Sequence, residues 1–265
     1  MLALDENDEI VKCLATPVDA RFINTYKNLR NEDYSDPVIF RSMAQRKTVA
    51  LCETQGRDYY YIDTGYIGNL DKRKNWHRVV KNGMQHSKVN YDLSNDRFKF
   101  IATDKPYLPF AKWKKFGGPI LIVTPSEKPC SFYGINRDEW VTNTVAQLKL
   151  YTDRPIIIRD KGLRRERIGG NSIYQQFEQD KIYAVVTYNS IAATEAIGFG
   201  IPAFTAAPGA ADAFCLKDLS KIESPLYADV MQVRCWQHWL AYCQYTPREM
   251  LDGTVFKLIK EYDLG

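Results

Sequence analysis

Tyr183-Ala-Val-Val-Thr-Tyr-Asn-Ser190 runs straight into Ile191-Ala-Ala-Thr-Glu-Ala-Ile-Gly-Phe-Gly-Ile-Pro202. Tyr183 to Tyr188 is an apolar, β-branched run of strand length. Asn189 and Ser190 are good helix N-caps, because a short side-chain oxygen can take up a free backbone N–H. Thr194 and Glu195 fall in the first turn and a half of a small-residue helix; Gly198 and Gly200 stop it, and Pro202 opens the next extended segment. The stretch predicts strand, turn, helix, strand. In an open parallel sheet, ligands bind outside the carboxyl ends of the strands. A helix N-terminus there offers N–H groups and a partial positive charge, which suit a phosphate. An Asn-Ser pair also caps helices that bind nothing, so the neighbours decide.

The neighbours repeat the pattern. Ile120-Leu-Ile-Val-Thr-Pro-Ser126 is a strand ending in a turn. Asn136 to Tyr151 reads as a helix with Trp140, Val141, Thr144, Val145, Leu148 and Tyr151 on one face. Pro155 to Arg159 reads as a second buried strand, Asn171 to Gln179 as a helix capped by Asn171, and Ile201 to Ala206 as a fourth strand. Alternation at this spacing implies right-handed βαβ units and a parallel sheet. Met231 to Gln244 reads as helical, and Thr246-Pro-Arg-Glu249 as a capping box opening a last helical run to Tyr262. The first half is less regular, with short strands at Asp36–Arg41, Asp58–Asp63 and Arg97–Ala102 and a helix over Gln45–Gln55. A boundary near Ala111–Gly118 divides the chain into 1–115 and 116–265, the last helices being candidates to cross back onto the first domain.

The composition sets limits. With 265 residues, 45% hydrophobic and 26% charged, the chain can bury a core without disulfides or metals. Its six Cys form no C-x-x-C pair and its three His are scattered, so thiols in a reducing cytoplasm are expected and a His-based metal site is not. The start turns acidic at Asp5-Glu-Asn-Asp8, which reads against a signal peptide, and no run approaches the ~20 apolar residues of a membrane span. A cytoplasmic protein is the expectation. The net charge of +4 is mild, yet Lys72-Arg-Lys74, His77-Arg78, Lys81, Lys112, Lys114-Lys115 and Arg164-Arg165-x-Arg167 are local basic clumps. Converging on one cleft, they would suit a nucleotide or polynucleotide.

Three loops follow proposed strand ends: Thr124–Ser126, Arg159–Lys161 and Thr187–Ser190. They would bring Ser126 and Ser190 hydroxyls, the Asn189 amide, the Arg159 fork and the Lys161 point charge to one sheet edge. In the first half, Asp63 ends a hydrophobic strand, where a carboxylate can serve as general base for a hydroxyl; His77 is the alternative base. Asn82 and Gln85 could hydrogen-bond a sugar or a nucleobase. No G-x-x-x-x-G-K-[ST], G-x-G-x-x-G or G-x-S-x-G pattern is present, which weakens ATPase, dehydrogenase and hydrolase readings.

Thr187-Tyr-Asn-Ser-x-x-x-Thr-Glu-Ala-x-x-x-Gly-x-Pro202 resembles the nucleotide-sugar motif in the second domain of GT-B glycosyltransferases, in the form found in capsule Kdo transferases. Tyr61–Tyr66, His77–Asn82, Tyr133–Trp140, Thr152–Pro155 and Leu219–Pro225 are similar to stretches of phage-encoded glycosyltransferases. The resemblance implies an α/β fold of two Rossmann-like domains, the N-terminal one reduced and the C-terminal one built on a parallel sheet. It implies a nucleotide-sugar donor, UDP-linked, bound by Ser190, Thr194 and Glu195 with Arg159 and Lys161 near the diphosphate, and no cofactor or metal. The acceptor side falls to Asp63, Tyr66, His77, Arg78, Lys81, Asn82 and Gln85. A hydroxymethylated base in phage DNA, inside the host cytoplasm, is the expected acceptor. A surface-glycan acceptor, and a non-catalytic DNA-binding protein on a degenerate transferase scaffold, are the alternatives.

Overall fold

The computed structural model describes residues 1–67, 76–102, 108–160, 162 and 171–265. Among them the strands, in chain order, are β1 (Leu2–Leu4), β2 (Arg21–Ile23), β3 (Val38–Arg41), β4 (Tyr59–Thr64), β5 (His77–Lys81), β6 (Ile120–Val123), β7 (Ile156–Arg159), β8 (Ala184–Thr187), β9 (Ala203–Thr205), β10 (Cys215–Leu216) and β11 (Gln244–Tyr245). They form two sheets in two compact units. The first unit takes residues up to Lys88 together with Ala241–Gly265, and the second takes Val89–Leu240. No helix among the described residues is long and apolar enough to cross a membrane.

The second unit carries a sheet in the order β10-β9-β8-β6-β7, every pair parallel. Ile120, Ile122, Ala184, Val186 and Phe204 project from one face. Leu148, Trp140 and Val145 of the helix Arg137–Leu148 pack onto them. Right-handed crossovers send the helices Ile173–Gln179 and Ile191–Phe199 to the other face. There the rings of Phe177 and Phe199 lie 5.4 Å apart. The helix Ile191–Phe199 is buried on nearly all sides, through Ala192, Ala193, Thr194, Ala196, Ile197 and Gly198; its small residues let it sit close to the strands.

The first unit carries a mixed sheet in the order β11-β5-β4-β3-β1-β2. Its β1 to β4 are parallel, and β5 and β11 complete it antiparallel. The helix Glu9–Ala15 follows β1, and its N-cap Asp8 accepts from the amides of Ile10 and Val11 while pairing with Arg41 of β3 at 2.9 Å. Gln244 of β11 is fully buried: its Oε1 accepts from the amides of Tyr66 (2.6 Å) and Ile67 (2.8 Å), and its Nε2 donates to the Ile67 carbonyl (3.0 Å). One side chain thus satisfies the turn that leaves β4, which would otherwise bury unpaired backbone.

Several sequence expectations need correcting. Arg97–Ala102 is helical, all but the first residue of the helix Asp96–Ala102, with Phe98 and Ile101 buried three residues apart on one face. β7 is an edge strand rather than a buried one, and Ile158 is 52% exposed. Ser172, not Asn171, caps the helix Ile173–Gln179, because Gln175 closes a reciprocal capping box on it. The helix expected to reach Gln244 stops at Tyr242, and Gln244 belongs to β11.

The segment Lys112–Gly118 belongs to the second unit and lies at the amino edge of its sheet, where Lys114 N donates to the Gly200 carbonyl at 2.7 Å. Gly200 has φ +97°, and a Cβ there would stand 2.4 Å from the Lys112 carbonyl oxygen. Strain and clash act together, so Gly200→Ala is expected to lower unfolding stability by about 2–3 kcal/mol. Urea unfolding measures this; an unchanged midpoint would mean that the Lys112–Lys114 segment moves aside at no cost.

Candidate functional site

In the parallel sheet the first strand, β6, lies between the second, β7, and the third, β8. The strand order therefore reverses between β6 and β8, and the crevice at such a switch point opens beyond the strands' carboxyl ends. The loops Thr124–Ser126 and Thr187–Ser190 flank it, with Arg159-Asp160 on the adjoining β7. Register brings Val123, Arg159 and Thr187 level across the three strands.

Each loop is fixed by its own polar groups. Thr187 Oγ1 donates to the Val123 carbonyl at 3.0 Å. Thr124 is buried, and its hydroxyl donates to Asp160 Oδ1 at 2.7 Å. Ser126 begins the helix Glu127–Tyr133 at a half-buried position, with no side-chain cap bond. Ser190 caps the helix Ile191–Phe199 with Oγ accepting from Ala192 N at 3.2 Å. Asn189 is buried, and its Nδ2 donates to Tyr133 Oη at 2.8 Å. Tyr188 packs against Tyr133 (5.3 Å) and Trp140 (6.1 Å), so a half-buried aromatic cluster borders the helix N-terminus.

Arg159 donates to Gln176 Oε1 (2.7 Å), the Asn171 carbonyl (2.7 Å) and Asn171 Oδ1 (3.3 Å). These three acceptors are neutral, and they orient the guanidinium. Sequence reasoning missed Arg137, which opens its helix just after the Asn136 cap and pairs with Asp160. The signal was there: Asn136-Arg137 follows Tyr133-Gly134, so the pair had to fall at the loop beyond β6. Thr194 is buried one turn into its helix, facing packed neighbours, while Glu195 is half-buried. Lys161 lies outside the described residues. The edge thus combines a helix N-terminus, which favours an anion, with the oriented Arg159 and with an Arg137 that Asp160 already pairs.

The acceptor-side candidates lie at the β4–β5 end of the first unit. Asp63 Oδ2 accepts from Tyr61 Oη (2.6 Å) and Arg78 Nη2 (3.1 Å), and Oδ1 from Thr64 N (2.7 Å). Its side chain keeps 31% exposure. Arg78 is buried and also donates to the carbonyls of Thr64 (2.7 Å) and Met84 (3.2 Å). Tyr66 is buried with its hydroxyl 3.1 Å from His86 Nδ1, and His77 is buried between β4 and β11. The structure therefore places Tyr66, His77 and Arg78 in the interior rather than on a docking surface. Lys81 pairs with Asp58 at 2.8 Å. Asn82, at φ +55°, locks the turn by accepting from Tyr59 N (2.8 Å) and donating to Asp58 (2.7 Å). Gln85 is half-buried. Asp63 is the group among these that combines a strand end, fixed orientation and access to solvent.

No family model and no curated protein matches the chain. Among solved structures, the β-Kdo 2,7 transferase of KpsC from Thermosulfurimonas dismutans aligns over 89% of each chain, with TM-score 0.52 and 8% identity. The β-Kdo 2,4 transferase of the same KpsC aligns over 89% of each chain with TM-score 0.46 and 10% identity. At such identity the likeness is one of fold: an α/β chain of two Rossmann-like units, similar in architecture to GT-B-type transferases.

Burial beside the Arg78 charge pushes the His86 imidazole down to about 3. Folded His86 is therefore neutral where an unfolded histidine, near 6.5, takes up a proton. Its contribution to stability is complete above about pH 6.5 and falls by about 1.4 kcal/mol per pH unit from there toward pH 3. His86→Asn is expected to flatten the dependence between pH 7 and 5 in urea unfolding; a slope equal to wild type would mean that His86 protonates in the folded chain.

Proposed function

We propose that the chain is a glycosyltransferase that moves a sugar from a UDP-linked donor to an acceptor hydroxyl, with no resident cofactor or metal. The observation that carries the reading is the switch-point crevice of the parallel sheet, where the Ser190-capped helix N-terminus follows β8 and the oriented Arg159 ends β7, on either side of β6. A diphosphate is the ligand this setting favours, since the helix end and Arg159 oppose charge as it develops on the leaving group. Glu195, half-buried one turn in, is assigned to the ribose or the sugar. In the transfer, the acceptor oxygen bonds to the anomeric carbon as the bond from that carbon to the phosphate oxygen breaks. Asp63 takes the hydroxyl proton, its carboxylate aimed by Tyr61 and Arg78.

A hydroxymethylated DNA base as acceptor drew on the basic clumps. Among the described residues these do not converge on the crevice. Lys81 faces Asp58, Lys114 shares Glu178 with Lys181, and Arg78 is interior. Lys112–Lys115 lie at the amino edge of the sheet, opposite the crevice. Lys72–Lys74 and Arg164–Arg167 are outside the described residues. A glycan hydroxyl is therefore favoured over the DNA base, and over non-catalytic DNA binding.

Thermal unfolding with UDP-, GDP- and CMP-linked sugars tests the donor. A UDP-sugar at 100 times its Kd is expected to add about 2.7 kcal/mol of stability. Arg159→Ala and Glu195→Ala are expected to keep the fold and lose transfer. Stabilisation by none of the three donors, or full activity in both variants, would overturn the reading.

A further inference from the structure

The parallel sheet ends in two unlike edges. β10 is two residues long, and so short an edge gives a further strand little to pair with. β7 is Ile156-Ile-Ile-Arg159, and among the described residues no strand lies on its outer side. The carbonyls of Pro155 and Arg159 accept from Ile120 N (2.9 Å) and Thr124 N (3.0 Å), so both residues face β6. By alternation Ile157 faces β6 as well, and the N–H and C=O groups of Ile156 and Ile158 face outward. Pro155 therefore spends its missing N–H on the inner side, where it does not blunt the open edge. No lysine, proline or bulge interrupts Ile156–Ile158, although these are the devices that protect an edge strand.

Ile156 and Ile158 are level with Ile120 and Ile122 and share their face of the sheet. Ile156 packs against the core there, but Ile158 is 52% exposed. A groove of about 540 Å3 runs beside this edge, lined by Val145, Ile156 and Ile158 together with Lys149, Asp153 and Arg154. The strand is complementary to itself. Laid antiparallel on a second copy about Ile157, it sets Ile156 opposite the partner's Ile158 and Arg154 opposite the partner's Asp160. Each exposed Ile158 then covers the partner's Ile156 at the groove. Arg154 pairs with Glu223 at 2.9 Å and Asp160 with Arg137, so charge alternates in sign across the seam instead of opposing. A slip of two residues either way would put Ile158 opposite Arg154, or Ile156 opposite Asp160, and lose both matches.

We infer that two copies of this chain associate through β7, antiparallel about Ile157, joining their parallel sheets into one. Each Ile156–Ile158 pair exchanges both of its N–H···O bonds, which satisfies the outward backbone of the strand. The inference goes beyond the transferase reading and does not depend on it. A second copy is the partner favoured because the apolar and charged matches are both written into the strand itself.

Sedimentation equilibrium of the full chain, from low micromolar to near-millimolar protein, is expected to show a reversible monomer–dimer equilibrium. A seam this short belongs to the small, weak class of interface. Ile158→Lys places an ammonium on the pairing edge at a position already half exposed. It is expected to weaken the dimer at least about tenfold and to leave urea unfolding of the monomer unchanged. Ile157→Cys tests the register. Ile157 meets its own copy in a non-hydrogen-bonded pair, whose Cα atoms stand about 4.5 Å apart, within disulfide reach. With oxidised glutathione this variant is expected to give a covalent dimer that wild type, with its six Cys, does not. Ile158→Cys is expected to give none, because its two copies lie on a diagonal about 7–8 Å long. A chain that stays monomeric throughout, a dimer that withstands Ile158→Lys, or cross-linking through Ile158→Cys in place of Ile157→Cys overturns the inference.

Discussion

In both sheets the first strand of the chain segment lies inside, with the second on one flank and the third on the other: β1 between β2 and β3, and β6 between β7 and β8. Parallel pairing requires a crossover for each step, and crossovers are right-handed. Helices that leave in opposite directions then go to opposite faces and part at the carboxyl edge. The crevice beside Ser190 results from that reversal, as does the meeting of Asp8 with Arg41 beyond β1 and β3. The chemistry is distributed along edges that the backbone has already set.

The two units handle cationic charge differently. In the first, Arg78 is withdrawn into the interior; burial alone would pull its proton off more easily, but Asp63, Tyr66 and Tyr61 hold it on. Its donors are committed to Asp63 and two carbonyls, so it stiffens the carboxylate and is not offered to a ligand. In the second, Arg159 is steadied by amide and carbonyl oxygens at the sheet edge. The same residue type is thus an interior support in one unit and an oriented edge group in the other.

The second half was the more legible in sequence because its strands are unbroken apolar runs and its caps are explicit. Ser190 and Thr246 cap helices as their sequences suggest. The first half hid its pattern. Leu2–Leu4 and Arg21–Ile23 are three residues each, too short for a period to show. Phe98, Phe100 and Ile101 carry strand propensity, yet the pairing of Phe98 with Ile101 on one side decides for a helix. At the candidate site, loop positions could be read from strand ends, whereas the burial of Thr194, His77 and Arg78 depends on what packs over them. Gln244 shows the limit most clearly: no local pattern announces a side chain whose partners, Tyr66 and Ile67, are far back along the chain.

That glutamine has a consequence for how the protein is made. β11 covers the outer edge of β5, and its side chain closes the turn beyond β4. A ribosome delivers both only after the entire second unit has emerged. Throughout that interval the nascent first sheet presents β5 as a bare edge, the kind of surface that recruits stray strands from other chains. Synthesis order and assembly order are thus opposed in this chain, and the unit begun first is the one finished last.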